Sequence, residues 1–189
     1  MAQEKVKFVR KPLRARAGAS RTLDQRLAIR FPRFAAVSAR LLSRLQPGSR
    51  VRQAFLWRVI RLSVEAYNRR DLDAVVAAYH PDLEYYPYRE FVEAGLAEPC
   101  YHGPSGYQAY ISATYDVWGT DVLLEPTELI DLGDRVVLLA DMPMRAQASG
   151  IPLAQTYAGV STLKDGRVIR QDDFLNHAEA LEAVGLPAT

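Results

Sequence analysis

Two aspartates on strand-like runs are the residues best suited to acid–base chemistry. Asp141 lies in the run 135–146 and Asp173 in the run 167–175, and each alternates with mainly apolar residues. Since alternate residues of a strand share one face, the spacing predicts one carboxylate on a largely apolar face of each strand. A carboxylate there needs a partner or a wet cavity, and an apolar pocket would raise its pKa toward the range of a general acid or base.

A salt bridge is the alternative role for Asp173. Arg170 lies three residues before it, and Arg145 lies near the end of an earlier strand-like run. An ion pair with either arginine at a strand end would hold the carboxylate without giving it any part in a reaction. The sequence alone leaves both roles open.

Tyrosines are concentrated in the middle of the chain. Eight of the ten tyrosines lie between residues 79 and 115. A phenol joins an apolar ring to one hydrogen-bonding group, so several phenols around a pocket would suit a flat, oxygenated ligand. For most of these tyrosines the alternative is packing in the core or at an interface.

The elements that must position these residues fall into two groups. Helical patterns cover residues 32–45, 50–69, 72–79, 103–118 and 177–184. Strand-like runs cover residues 83–88, 121–131, 135–146, 153–163 and 167–175. Helices are segregated from a run of strands, and this order predicts an α+β fold rather than alternating βαβ units.

The beginning of the chain differs from the rest in charge. Residues 1–50 hold 13 Lys and Arg against 2 Asp and Glu, whereas residues 51–189 hold 11 against 20. The asymmetry predicts either an anionic partner for the basic part or a basic part that lies on its own acidic domain. We divide the chain into a disordered basic tail (1–22), a basic amphipathic helical arm (23–49) and a domain (50–187).

Several classes of function are disfavoured by composition. No uncharged apolar run is long enough for a spanning helix, the single cysteine cannot form an internal disulfide, and the three histidines lack zinc-binding spacing. We therefore expect a cytoplasmic protein without a metal. The arm shows no aromatic interleaving and no recognised motif that would indicate a nucleic-acid-binding surface. It could lie on an anionic membrane, although packing on its own domain, with its arginines in solvent, is the commoner arrangement.

Four segments together resemble the SnoaL-like branch of the nuclear-transport-factor-2-like superfamily. They are AYNRRDLD at 66–73, YHPDLEY at 79–85, YHGPSGY at 101–107, and DGRVIR at 165–170 followed by AEALEAVGL at 178–186. The resemblance implies a cone-shaped, curved antiparallel sheet packed on helices, a cystatin-like roll with an apolar pocket at its wide end. It also implies a homodimer formed through the sheet and chemistry without a cofactor, as in polyketide cyclases.

The resemblance also implies roles for individual residues. Tyr85 resembles, by its place in the first strand, the tyrosine that orients water in limonene epoxide hydrolase, and Asp173 matches a catalytic aspartate of that enzyme. Asp141 stands where that enzyme has an arginine, and Pro143 stands where it has a second acid. The base position of ketosteroid isomerase falls at Pro87. Because of these departures, we do not expect a full copy of either mechanism.

These observations predict a candidate site. Asp173 would be the acid or base, Asp141 its partner, and Tyr85 a hydrogen-bond donor to substrate oxygen or water. Further contacts with the ligand are predicted for Tyr67, Tyr101, His102, Tyr115 and Gln171. The predicted function is binding of a small cyclic oxygenated compound, with isomerisation, cyclisation, dehydration or epoxide opening as the candidate reactions. The alternative is a non-catalytic module for ligand binding or dimerisation.

Overall fold

A seven-stranded sheet with helices on both faces is the framework of the computed structural model, which describes residues 8–14, 20–118, 122–145 and 152–188. The strands are β1 (Val9–Pro12), β2 (Tyr79–Tyr86), β3 (Tyr101–His102), β4 (Glu125–Asp131), β5 (Arg135–Arg145), β6 (Pro152–Lys164) and β7 (Arg167–Phe174). The helices are α1 (Leu23–Arg30), α2 (Pro32–Ser43), α3 (Arg50–Asn68), α4 (Leu72–Val76), α5 (Arg89–Glu93), α6 (Gly103–Trp118) and α7 (His177–Ala183). The predicted α+β fold is confirmed.

The sheet is curled but not closed, and its strand order is β1-β4-β5-β6-β7-β2-β3. All neighbouring strands are antiparallel except β2 and β7, which run parallel. The parallel pairing of β2 with β7 could not be read from the sequence, because an alternating pattern defines the faces of a strand and not the direction of its partner. The hairpin between β6 and β7 turns at Asp165 and Gly166, whose φ angles of 51° and 76° suit a tight type I′ turn.

The two faces of the sheet are covered by different helices. On β5, Val136 packs with Leu56 of α3, whereas the next residue, Val137, packs with Leu181 of α7. Both faces of β5 are therefore apolar over most of its length. This arrangement decides which side chains reach the cavity described below, because only the face toward α3 borders it.

A buried ion pair joins α3 to β4. Arg52 donates from Nε and Nη2 to the two carboxylate oxygens of Asp131, both at 2.9 Å, and both side chains are almost fully buried. The same guanidinium donates to the carbonyl oxygens of Ser43 and Gly133. Arg52 thus connects the end of α2, the β4–β5 turn and the sheet.

The predicted disordered tail over residues 1–22 is wrong for part of its length. Val9–Pro12 forms β1, which pairs antiparallel with β4 so that Val9 lies opposite Asp131. The free edge of β4 offers unpaired N–H and C=O groups that an extended chain can satisfy. An ion pair of 2.5 Å between Arg10 and Glu128 adds to the attachment, so few apolar residues are needed to order this segment.

The N-terminal arm forms two helices, α1 and α2, inside the predicted range 23–49. The arm contacts the domain, but its apolar stripe does not face inward as the alternative of packing on its own domain requires. Ala39 is buried on α2, whereas Phe34, Val37 and Leu41 are exposed. No helix among the described residues is long and apolar enough to cross a membrane.

Candidate functional site

A cavity of about 160 Å³, here called the inner cavity, lies between the curled sheet and helices α3, α4 and α6. Most of its wall is apolar or aromatic. Its polar wall groups include Ser63, Ser161, Gln171, Asp173 and several tyrosine hydroxyls. An apolar cavity of about 150 Å³ is large enough to hold benzene, so the inner cavity matches a single ring in size.

Asp173 lies at the centre of a hydrogen-bonded cluster on the cavity wall. Tyr85 Oη donates to Asp173 Oδ2 at 2.6 Å. Tyr157 Oη and Gln171 Nε2 donate to Asp173 Oδ1 at 2.9 and 2.8 Å. Because β7 is flanked by β2 and β6, Tyr85 and Tyr157 reach the carboxylate from the strands on either side of it. We call Asp173, Tyr85, Tyr157 and Gln171 the carboxylate cluster.

The surroundings of Asp173 change its acidity. Burial among aromatic side chains raises the pKa of Asp173 to about 6, although hydrogen bonds from Tyr85, Gln171 and Tyr157 act in the opposite direction. The side chain keeps some accessible surface because it borders the cavity. A carboxyl group with a pKa near neutrality can both accept and release a proton under ordinary conditions.

The orientation of Gln171 is fixed by a second hydrogen bond. Ser161 Oγ donates to Gln171 Oε1, so the amide nitrogen of Gln171 is the atom turned toward Asp173. Gly159 lies directly opposite Asp173 in the β6–β7 pairing. A Cβ atom at Gly159 would lie 2.5 Å from Tyr157 Oη and 2.6 Å from Gln171 Nε2. The absence of a side chain at Gly159 therefore leaves the space that the cluster occupies.

The ring of Tyr85 is held by other tyrosines. Its centroid lies 4.9 Å from that of Tyr107 and 5.2 Å from that of Tyr110. Burial raises the pKa of Tyr85 and of Tyr157 well above the usual value for a phenol. Both hydroxyls therefore stay protonated and act as donors to the carboxylate.

Asp141 does not join the carboxylate cluster. Its side chain is exposed, and it lies opposite Thr156, which is also exposed. The expectation that Asp141 faces the pocket is wrong, because Asp141 shares the face of Val137 and Leu139, which α7 covers from outside. The alternation was correct, but with apolar residues on both faces of β5 it could not identify the inner one. The partners of Asp173 are neutral donors instead of a second carboxylate.

Arg170, one of the two arginines considered as salt-bridge partners of Asp173, pairs with the neighbouring Asp172 instead. Its Nη2 and Nε atoms lie 2.7 and 2.8 Å from the carboxylate oxygens of Asp172. Asp172 and Asp173 are neighbours and therefore point to opposite faces of β7. The arginine thus neutralises the outer carboxylate and leaves the inner one to the cluster.

The other predicted ligand contacts are divided between the cavity wall and positions behind it. Tyr67 and Gln171 line the inner cavity. Tyr115 packs against the Tyr67 ring at 5.8 Å between centroids, and so supports the wall from behind. Tyr101 also lies behind the wall, 5.0 Å from the ring of Tyr110, with its hydroxyl accepting a hydrogen bond from a backbone N–H. His102 is exposed on β3 and lies away from the carboxylate cluster.

The sequence analysis missed Tyr157 and Ser161. Both lie on β6 with Gly159 between them, at positions that share the inner face. The pattern Tyr-x-Gly-x-Ser was a usable signal, because three residues of small or polar character on one face of a long strand disagree with a purely apolar core. Its significance depends on the register that pairs Gly159 with Asp173, which only the structure provides.

Metal ligation has no support in the part of the chain that the structure describes. Within residues 8–14, 20–118, 122–145 and 152–188, no group of three or more His, Cys, Asp and Glu side chains is placed to hold a metal ion. The polar side chains on the wall of the inner cavity are a carboxylate, phenols, amides and aliphatic hydroxyl groups.

A second cavity of about 380 Å³ lies between the N-terminal arm and the domain, and we call it the arm cavity. Leu27 and Phe34 of the arm line one side of it, and Leu62 and Ala74 of the domain line the other. The two cavities share part of their walls, formed by Phe55, Val59, Ser63, Ala78 and Gly166. One layer of side chains therefore separates them.

Comparison with known proteins identifies the domain. TerC, crystallised with polyporic acid, is 24% identical, with a TM-score of 0.56 and coverage of 66% of this chain and 94% of TerC. An NTF2-like protein of unknown function from Burkholderia pseudomallei is 27% identical, with a TM-score of 0.56 and coverage of 68% and 95%. A SnoaL-like protein of unknown function from Burkholderia thailandensis is 21% identical, with a TM-score of 0.51 and coverage of 64% and 94%.

No curated protein is similar to this chain. Residues 60–171 match the SnoaL-like domain, and the two arm helices, α1 and α2, precede the matched segment. Since the matched segment makes up more than half of the chain, the protein belongs to the family of SnoaL-like domains, in the NTF2-like superfamily.

Proposed function

We propose that this protein binds a small cyclic oxygenated compound in the inner cavity and moves a proton on it through Asp173. The carboxylate cluster carries this proposal. It joins a carboxylate of raised pKa to three neutral donors on an otherwise apolar wall. The pKa of Asp173 stays raised although three donors contact the carboxylate, so its burial still costs stability, and chemistry explains its position better than packing does.

The hydrogen bonds leave Asp173 able to take up a proton. A carboxylate offers about four acceptor positions, and the cluster uses three of them. With a pKa of about 6, Asp173 is mainly ionised at neutral pH and acts first as a base. It removes a proton from a carbon or hydroxyl group of the ligand and returns it at another position or to a leaving oxygen. Isomerisation, ring closure and dehydration all need this pair of steps.

The tyrosines would orient the ligand as well as the carboxylate. The hydroxyl oxygens of Tyr85 and Tyr157 donate to Asp173 and keep lone pairs that can accept a hydrogen bond from a ligand hydroxyl. Aromatic wall residues such as Tyr67 and Tyr88 offer faces for a flat ring. Both features favour a ligand with one ring and at least one oxygen substituent.

Hydrogen exchange on a model ketone tests the proposal. Cyclohexanone is incubated in deuterated buffer, and loss of the protons next to its carbonyl is followed by NMR. We expect the wild-type protein to accelerate exchange, and Asp173→Asn to lower the acceleration by about 10²-fold or more, a usual contribution of a general base. Asp172→Asn is the matched control, because that carboxylate lies next to Asp173 but faces outward to Arg170.

Two results would contradict or change the proposal. Equal exchange by the wild-type protein and Asp173→Asn would remove Asp173 as the base. Binding of cyclohexanone, detected by shifts of tyrosine resonances, without exchange would instead favour the non-catalytic alternative. Two observations favour this non-catalytic function: the inner cavity is small, and three donors already bind Asp173.

A further inference from the structure

The two arm helices and the residue between them turn large apolar side chains toward solvent. Six such side chains are exposed by between 53% and 75% of their surface: Leu23, Leu27, Phe31, Phe34, Val37 and Leu41. We call these six residues the arm stripe. On α2 the members recur every three or four residues, so Phe34, Val37 and Leu41 lie on one side of the helix, away from the buried Ala39.

Polar contacts hold the arm in this orientation. Gln25 of α1 is buried and donates to the carbonyl oxygen of Leu62 at 2.8 Å. Asp24 accepts from Arg58 of α3, and Arg40 of α2 forms an ion pair of 3.0 Å with Asp165. These contacts attach the inner sides of both helices to the domain. The stripe therefore keeps most of its surface in solvent on a docked arm, and two of its members, Leu27 and Phe34, also border the arm cavity.

Packing of small residues also fixes α2. The backbone of Ala39 lies against the turn at Gly166, where a Cβ atom would lie 2.2 Å from the Ala39 carbonyl oxygen. Such a close approach is available only because neither residue carries a large side chain at the contact. The helix thus uses its small residues for docking and leaves most of the surface of Phe34 and Leu41 exposed.

Arginines accompany the stripe. On a helical projection of α2, Arg33, Arg40 and Arg44 fall along one edge of the row formed by its exposed apolar residues, and Arg40 is held there by its ion pair with Asp165. Arg26 and Arg30 hold the corresponding places on α1, and all five are exposed. An apolar row bordered by cations is the arrangement of helices that lie in the plane of an anionic bilayer surface.

We propose that the arm stripe and its arginines bind the surface of an anionic lipid bilayer. The apolar side chains enter the boundary between headgroups and acyl chains, and the guanidinium groups contact lipid phosphates. The absence of a spanning helix among the described residues agrees with attachment from one side. This proposal does not depend on Asp173 or on any reaction in the inner cavity.

Charge and shape favour a bilayer over a second copy of the chain. A symmetric contact between two arm stripes would bring the arginine rows of both copies together, at a cost in free energy. A contact with another part of the domain would need a matching apolar patch. The other large apolar side chains exposed among the described residues, apart from Leu45 in the arm, are scattered: Phe8, Val51, Leu96 and Leu123.

Vesicle sedimentation of the full chain tests the proposal. The probes are vesicles of phosphatidylcholine alone and of phosphatidylcholine mixed with phosphatidylglycerol. We expect the protein to sediment with the mixed vesicles and much less with the neutral ones, and added salt to weaken the binding. Equal sedimentation with both vesicle types, or none with either, would overturn the proposal.

Variants assign the binding to the arm. Phe34→Ser and Leu41→Ser should each weaken binding to the mixed vesicles by about tenfold, because each removes a side chain that enters the bilayer. Arg33→Gln and Arg44→Gln should each weaken it by about fivefold. The matched controls are Leu96→Ser, which changes an equally exposed leucine outside the arm, and Arg89→Gln. Both should bind as the wild type does.

Solution mass separates the bilayer from a second copy. Since Phe34 and Leu41 are exposed, both serine variants should fold, as circular dichroism can verify. If they bind vesicles as the wild type does while their molar mass in light scattering falls from dimer to monomer, the stripe is a contact between copies and the proposal is wrong. Loss of vesicle binding at unchanged molar mass supports it.

Discussion

The inner cavity and the N-terminal arm depart from the usual distribution of residues in opposite directions. The cavity buries an ionisable carboxylate among tyrosines, whereas the arm exposes leucines and phenylalanines beside arginines. Folding alone favours neither arrangement, because one retains a charge away from water and the other leaves apolar surface in it. The difference agrees with the two proposals made above, a small molecule as the partner of the cavity and an extended surface as the partner of the arm.

The two regions also differ in how the surrounding fold supports them. Asp173 is held by side chains from three adjacent strands, and its position follows from the register of the sheet. The arm is held by separate contacts such as Gln25 with Leu62 and Arg40 with Asp165. A change in the sheet should therefore disturb the cavity as a whole, whereas single changes on the arm should have local effects.

Removing the buried arginine should break the connection between the arm and the sheet. Arg52→Ala leaves Asp131 as an unpaired buried carboxylate, and we expect a loss of about 3–5 kcal/mol in the free energy of unfolding. Urea denaturation measures this loss. Arg50→Ala, two residues earlier and exposed, is the matched control and should change stability by less than about 0.5 kcal/mol. Similar losses for both variants would show that the ion pair has no special role.

The pH dependence of stability should show the cost of the buried carboxylate. The pKa of Asp173 is about 6 in the folded chain and 3.8 for an ordinary aspartate, so the folded state binds the proton more tightly. The stabilisation of the folded state by the proton on Asp173 is therefore complete below pH 3.8 and is lost as the pH rises through 6. Over that range the wild type should lose about 3 kcal/mol relative to Asp173→Asn.

Urea unfolding of both proteins between about pH 4 and pH 8 measures this difference. Because every other titrating group is shared, subtracting the two curves isolates Asp173. A difference that stays flat with pH would show that Asp173 has an ordinary pKa, and would weaken its assignment as a base. Asp172→Asn is again the control, here for a neighbouring carboxylate that is paired with Arg170 on the other face of β7.

A single methyl group at Gly159 should disturb the carboxylate cluster, with a smaller effect on stability than the loss of Arg52 or the titration of Asp173. In Gly159→Ala the new Cβ atom displaces Tyr157 Oη and Gln171 Nε2, both at the free ends of flexible side chains. We expect a stability loss of about 1 kcal/mol and a further rise in the pKa of Asp173, because two donors to its ionised form move away. Carboxyl ¹³C NMR follows this pKa.

Gly48→Ala is the matched control for this variant, since a Cβ atom at Gly48 meets no heavy atom within 4 Å. It should leave the titration of Asp173 unchanged. An unchanged titration in Gly159→Ala as well would show that the donors of the carboxylate cluster do not depend on the space at this glycine.

Periodicity and turn residues predicted most of the elements. The strands β5, β6 and β7 and the helix α7 lie close to the predicted ranges, because their apolar residues repeat regularly and Asp165-Gly166 defines the turn. What could not be predicted was the direction in which a pattern faces. Asp141 and the arm stripe illustrate the same difficulty. Each belongs to an apolar pattern, but the pattern does not say whether that face meets the cavity, another helix or solvent until the other elements are placed.

The composition of the carboxylate cluster was predicted only in part. Asp173, Tyr85 and Gln171 were candidates, and the structure places all three together. Tyr157 was not a candidate, because its role depends on the pairing of Gly159 with Asp173 across two strands. β1 was missed for a similar reason: a short, basic, extended segment shows no pattern of its own and becomes a strand only beside the edge of β4.

The thin partition between the two cavities has a consequence for the path of a ligand. Phe55 is the only aromatic ring in that partition, and the remaining members include Ser63 and Ala78, which are small. A ligand that entered the inner cavity from beneath the arm helices would have to displace members of this partition, of which Phe55 is the bulkiest, and the two chambers together would limit its length.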